Sequence, residues 1–231
     1  MFSDLFDIMR LFDYYHDVHS EYGEDGILYF FVKSLNIQNR PKTFLNICDI
    51  FKRKNMFLFS IQHMGFKSCV PLSHNQGKVD CTMSGIHSLL RDIRSVYIMC
   101  VNTHGVDYWL LDTYMRHCRQ EQKPVILFCK INAIIPFDKR VTVPYTPIPN
   151  RKEYYTNVFT GASLGAIHAC VQKDYTFVGT TRNATFAVFV LKHYVVGNVM
   201  YETYVFPNVM HARKQYIWNK PIPNKMWIQV K

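Results

Sequence analysis

The run Ala184–Val196 (ATFAVFVLKHYVV), the pair Gly197-Asn198 and the run Val199–Phe206 (VMYETYVF) carry the plainest structural signal in the chain. Two apolar, β-prone runs joined by two residues that tolerate positive φ spell a tight hairpin. Antiparallel pairing then becomes the default for the sheet. Further upstream, Ile27–Lys33 (ILYFFVK), Met56–Gln62, Ser95–Asn102, Pro124–Ile135 and Arg140–Val143 read as strands, rich in aromatic and β-branched residues. Trp227–Val230 reads as the last strand.

Helical signals are fewer. Ser84 caps a short helix over Gly85–Ile93. Asp107–Gln122 carries Tyr108, Leu111, Tyr114, Met115 and Cys118 at helical spacing. Val70–Thr82 is polar and turn-rich and reads as a loop, while Pro144, Pro147 and Pro149 mark an extended crossing. The expected class is α+β: a mainly antiparallel β-sandwich with a few helices and an N-terminal amphipathic helical arm. Residues 1–25 form the assembly arm and residues 26–231 a single β-rich body.

The arm stands apart in charge. Met1–Asp25 holds seven acids against Arg10 alone, a net of −6, and the rest holds 26 bases and 10 acids, a net of +16. Leu5, Ile8, Met9, Phe12, Tyr15 and Val18 fall at the 3–4 spacing of one helix face. Asp4 and Asp7 suit the positive end of that helix, and Gly23 closes it. Asp13, Asp17 and Glu21 add to the negative charge. Burying six such side chains is worth roughly 9–18 kcal/mol before ordering costs, so the arm is expected to dock on a body, its own or a neighbour's.

At 231 residues the chain is long enough for a full core. Aromatics at 15% are high and charged residues at 19% low, which fits extensive buried surface. Seven cysteines with no CxxC pair read as reduced thiols in the cytoplasm. No signal peptide and no 18-residue apolar span is read, so neither secretion nor a membrane partner is expected. The net charge of +10 permits nucleic-acid binding, although the densest basic cluster is only Lys52-Arg53-Lys54.

Candidate chemistry is sparse. Gly161-Ala162-Ser163-Leu164-Gly165 matches the nucleophile-elbow pattern, with Asp174 and His193 or His211 following in triad order. The competing reading is a small-residue turn before a strand. His63, Cys69, His74, Cys81 and His87 form a loose set without the short paired spacing of a structural zinc site. His168 beside Cys170 lacks a third orienting group for thiol chemistry. His104-Gly105-Val106-Asp107 resembles the His-Gly strand of ADP-ribosylating folds, with nothing downstream to repeat it. Neither a phosphate-cradling GxxxxGKS/T loop nor a GxGxxG is found. The expectation is of no enzyme, no catalytic residue, no metal and no resident cofactor.

One set of motifs resembles a known family. Ser163-Leu164, then Val178-Gly179-Thr180 and Asn183, with Tyr175 between, are similar in order to the C-terminal part of the cypovirus (cytoplasmic polyhedrosis virus) polyhedrins. Phe186-Ala187 and His193-Tyr194 resemble a strand ending in His-Tyr there. Lys123-Pro124 and Val141-Thr142-Val143-Pro144 are similar in kind. The likeness spans about a third of the chain, and the stretch from Asn183 to His193 is shorter than in that family.

The resemblance implies a homotrimer on a β-sandwich, locked by its arm into an in vivo crystal. The protein would then be the structural matrix of an insect-virus occlusion body, self-assembling around virus particles in the cytoplasm of the infected host cell. It also implies that nucleotides bind, at residues no motif identifies. Alkaline release has a physical counterpart here. Deprotonating 16 Lys and 15 Tyr carries the charge from +10 to about −21. The alternative expectation is a basic viral nucleic-acid-binding protein, with aromatics for stacking.

Overall fold

The computed structural model describes residues 23–35, 37, 40–48, 64–66, 68–72, 81–103, 105–146, 160–181, 184–195 and 227–230. The whole stripe of the arm, its charges Asp4, Asp7, Asp13, Asp17 and Glu21, and the predicted turn Gly197-Asn198 lie outside them.

Glu24–Leu35 is a helix, α1, where the sequence reading placed the strand Ile27–Lys33. The reason lies in its two faces. Ile27, Leu28 and Phe31 are buried at helical spacing, while Tyr29 and Lys33, one turn apart, are exposed. Glu24 and Asp25 in the first turn and Lys33 in the last also suit the helix dipole. Aromatic content outweighed this period in the sequence reading. α1 opens with Ile27 N–H donating to the carbonyl of Gly23, whose φ is +85°.

Three further helices follow among the described residues. α2 spans Met83–Asp92, two residues earlier than expected, because Thr82 rather than Ser84 caps it, its Oγ1 accepting from Gly85 N–H at 3.1 Å. α3 spans Asp107–His117 and stops short of Gln122, since Cys118 is extended and a 3-10 turn, Gln120–Gln122, takes over. α4 spans Leu164–Val171, a helix where the elbow motif was expected to lead into a strand.

The strands are β1 Thr43–Cys48, β2 Ser68–Leu72, β3 Ile98–Asn102, β4 Ile126–Lys130, β5 Val141–Thr142, β6 Tyr175–Thr180, β7 Phe186–Leu191 and β8 Ile228–Gln229. Six of them form one sheet in the order β2-β1-β3-β4-β7-β6, and β5 pairs with β8. β2, β1, β3 and β4 are mutually parallel, while β7 runs antiparallel to both β4 and β6. The protein therefore mixes helices and sheets as expected, but the described residues do not form a mainly antiparallel sandwich. β7 does belong to a hairpin. It pairs with the preceding β6, Tyr175 opposite Leu191, and with β4 on its other side; Val199–Phe206 lies outside the described residues.

Strand alternation sorts the core into two layers. Leu45, Ile47, Met99, Val101, Leu127 and Cys129 face α2, α3 and α4. Phe44, Ile98, Cys100, Ile126 and Phe128 face α1. A sheet buried on both faces needs continuous apolar strands, and Ile98–Val101 and Ile126–Cys129 are buried throughout. The parallel strands look as apolar in sequence as hairpin strands do. The helices between them, α2 and α3, are what distinguish them. No helix among the described residues is long and apolar enough to cross a membrane.

Candidate ligand site at the carboxyl ends of the strands

The chain order fixes one special place in the sheet. β2 lies on one side of β1, and β3 and β4 lie on the other. The winding therefore reverses between β1 and β3. In open α/β sheets the crevice outside the strand carboxyl ends at such a reversal is where ligands bind.

Asn102 ends β3 at this reversal, and Thr103 follows it, fully buried. Asn102 Oδ1 and Thr103 Oγ1 are buried without a hydrogen-bond partner among the described residues. Leaving a buried polar atom unpaired costs about 1–3 kcal/mol, so such atoms mark a place where a partner is missing.

The turn that follows is held from the first residue of α3. Asp107, fully buried, accepts from Thr103 N–H at 2.6 Å through Oδ1 and from Gly105 N–H at 3.1 Å through Oδ2. Burial pushes its carboxyl above the usual range, while the Lys130 ammonium and these N–H groups pull it back. Lys130 ends β4 and is half-buried.

A third segment closes the rim. Asn132 N–H donates to the carbonyl of Ala162 at 2.7 Å, and its Nδ2 donates to that of Thr160 at 2.9 Å. Gly161 thereby passes close to Asp107. It has φ +66°, and a Cβ there would lie 3.6 Å from Asp107 Oδ2. The carboxylate thus sits where three segments meet: the β3–α3 turn, the end of β4 and the approach to α4.

Ser163 of the elbow motif serves this scaffold as a helix cap. Ser163 caps α4, its Oγ accepting from Ala166 N–H at 3.0 Å and Val141 N–H at 3.1 Å and donating to the carbonyl of Lys139 at 2.6 Å. Every capacity of the hydroxyl is filled. The second motif glycine is steric: a Cβ on Gly165 would come within 2.2 Å of the Phe137 carbonyl oxygen. Asp174 forms an ion pair with Lys123 at 2.7 Å, beyond the far end of α4. Eight helical residues, about 12 Å, separate it from Ser163.

The other sequence candidates scatter. His168 and Cys170 share helix α4 and not a strand; the His168 ring stacks on Phe189, and burial pushes the Cys170 thiol up. Cys81 is buried, His87 is exposed on α2, and His63 and His74 lie outside the described residues. No group of three or more His, Cys, Asp or Glu is poised for a metal among the described residues. No protein-family model, no curated protein and no solved structure matches the chain.

Sequence reading singled out Gly105 and Asp107, but for a different chemistry. It missed Asn102, Thr103, Lys130 and Asn132. The available signal was a buried strand running straight into Asn-Thr-His-Gly and then a helix, a polar turn at a strand's carboxyl end.

Proposed function

We propose that the protein binds a nucleoside-bearing ligand in the crevice outside the carboxyl ends of β1, β3 and β4. The observation that carries this reading is the pair of orphaned atoms, Asn102 Oδ1 and Thr103 Oγ1, at the one place where the sheet winding reverses. Asn102 Oδ1 can only accept, so it calls for a hydroxyl or amine donor. Thr103 Oγ1 can accept or donate. Sugar hydroxyls and ring amines supply such partners. Without a glycine-rich phosphate loop, recognition falls on the sugar and base more than on phosphates. The choice of a nucleoside over another polyol rests on analogy with doubly wound sheets.

Calorimetry of the full chain against adenosine, ATP, GTP, NAD and S-adenosylmethionine tests it. At least one should bind, and Thr103→Val or Asn102→Leu should weaken that binding at least tenfold. Silence across the panel, or binding indifferent to both substitutions, sinks the reading.

A second reading, the self-assembling occlusion-body matrix, is supported by the charge split of −6 against +16 and by the apolar stripe of the arm. It draws no support from a sandwich, since the described residues form a different sheet. Electron microscopy of insect cells expressing the chain decides it: intracellular crystals are expected, and a soluble monomer at high expression removes it.

A further inference from the structure

His87 on α2 and His117 at the end of α3 meet across the helix–helix contact, their ring centroids 4.4 Å apart at 78°. Both are exposed, and neither belongs to the core that joins the two helices. His117 Nδ1 lies 2.8 Å from the carbonyl oxygen of Thr113. A carbonyl only accepts, so Nδ1 carries the proton and Nε2 keeps its lone pair. A ring whose one nitrogen is tied to a backbone carbonyl while the other stays basic is the usual form of a metal-ligating histidine.

We infer that His87 and His117 form a surface site for a divalent transition-metal cation, one with a preference for imidazole. Two imidazoles sharing a tetrahedral cation, with N–metal bonds of about 2.0–2.1 Å, have centroids about 5 Å apart. The edge-to-face contact at 4.4 Å has to open to admit the cation, which two exposed side chains do by changing rotamer. The helices hold the two positions in place, so little order has to be created on binding. No third protein ligand stands beside them among the described residues, so water completes the coordination. That makes the site weaker than a structural zinc site. It should follow the general ligand order, Cu²⁺ above Ni²⁺ and Zn²⁺, and should ignore Mg²⁺ and Ca²⁺, which prefer oxygen. His117 lies at the other end of α3 from Asp107, about 15 Å along the axis, so this site is independent of the crevice.

Ni²⁺ is the probe, because thiols do not reduce it. The full chain, labelled with ¹³C at histidine, is titrated with substoichiometric Ni²⁺ and followed by NMR. Signals of His87 and His117 should broaden before those of the other eight histidines, which serve as internal controls. His87→Gln and His117→Gln, both on exposed helix positions, should each lower the affinity of the tightest Ni²⁺ site at least tenfold, with unchanged circular dichroism. Earlier broadening of other histidines, or an unchanged affinity in the double variant, overturns the site and leaves the ring contact as packing alone.

Discussion

The two ends of the sheet are finished differently. At the amino end of β4, polar groups are matched. Gln122, buried, donates through Nε2 to the carbonyls of Leu90 at 2.7 Å and Ile93 at 2.6 Å and accepts from Arg119 N–H at 2.8 Å. Tyr114 Oη donates to the Gln122 carbonyl and Tyr175 Oη to that of Pro124, both at 2.8 Å. Lys123 pairs with Asp174. At the carboxyl end of β3, by contrast, Asn102 Oδ1 and Thr103 Oγ1 have no hydrogen-bond partner among the described residues. One end is built for stability. The other keeps unpaired polar groups, which cost stability unless something outside the chain completes them.

The largest effect should come from breaking the matched end. Gln122→Ala strands a buried carbonyl, a half-buried one and a half-buried N–H, and should cost about 3 kcal/mol in urea unfolding. A loss under about 1 kcal/mol would mean that water replaces the amide, and the contrast between the ends would weaken.

Alkali attacks the same end. Burial raises Cys118 to about 11 and Tyr114 and Tyr175 upward there, and it raises Tyr108, next to Asp107 at the other end, to about 12. These groups are neutral when folded and ionise more easily when unfolded. Their contribution is complete below the ordinary pKa values of 9.0 and 10.0 and is lost as pH rises through the folded ones. Unfolding followed by circular dichroism should therefore steepen from about pH 9 to about 12. A part of the tyrosine absorbance at 295 nm should rise only with unfolding; phenolate formation by all fifteen tyrosines before any loss of structure would contradict the burial.

Asp107 belongs to the other end and has a pH dependence of its own. Its folded pKa is raised above the ordinary 3.8, so the stability it contributes is full below that pH and lost as pH rises through the folded value. Asp107→Asn removes this titration. The stability gap between wild type and variant should therefore shift against wild type as pH climbs from about 4 through the folded pKa. A gap that stays flat would show that the N–H groups of Thr103 and Gly105, with Lys130, hold the carboxyl near its ordinary range.

The smallest effect on stability sharpens the comparison most. Thr103→Val replaces a hydroxyl that has no hydrogen-bond partner among the described residues with a methyl of the same shape. It should change stability by less than about 1 kcal/mol, in the stabilising direction. A loss of 2 kcal/mol or more would reveal a partner for that hydroxyl. The same variant is the one expected to lose ligand.

Particular residues show how far the sequence could be read. The period of Tyr108, Leu111 and Tyr114 gave α3, the run Ser95–Asn102 gave β3, and the run Pro124–Ile135 gave β4, though β4 ends at Lys130. Ile27–Lys33 was misread because its aromatic residues are β-prone on their own, while its helical face emerges only once Tyr29 and Lys33 are seen to share the solvent side. The run Ala184–Val196 was read as a strand and does hold β7; the strand expected to follow it, Val199–Phe206, lies outside the described residues, and the neighbours seen are β4 and β6. The site was less legible still. Asn102, Thr103 and Lys130 are ordinary polar residues at strand ends until the sheet order sets β1 beside β3.

By itself the sequence determined local matters: where apolar runs lie, where a threonine or serine caps a helix, that the chain divides into an acidic start and a basic remainder. Those depend on neighbours within a few positions. Strand order, the parallel sense of four strands and the partner of β7 were decided only by the tertiary structure. They depend on which apolar faces bury one another across long separations, and an isolated strand carries no mark of its neighbour. The same holds for Thr103. Its residue type is fixed by the chain, but whether its hydroxyl finds a partner is a property of the fold around it.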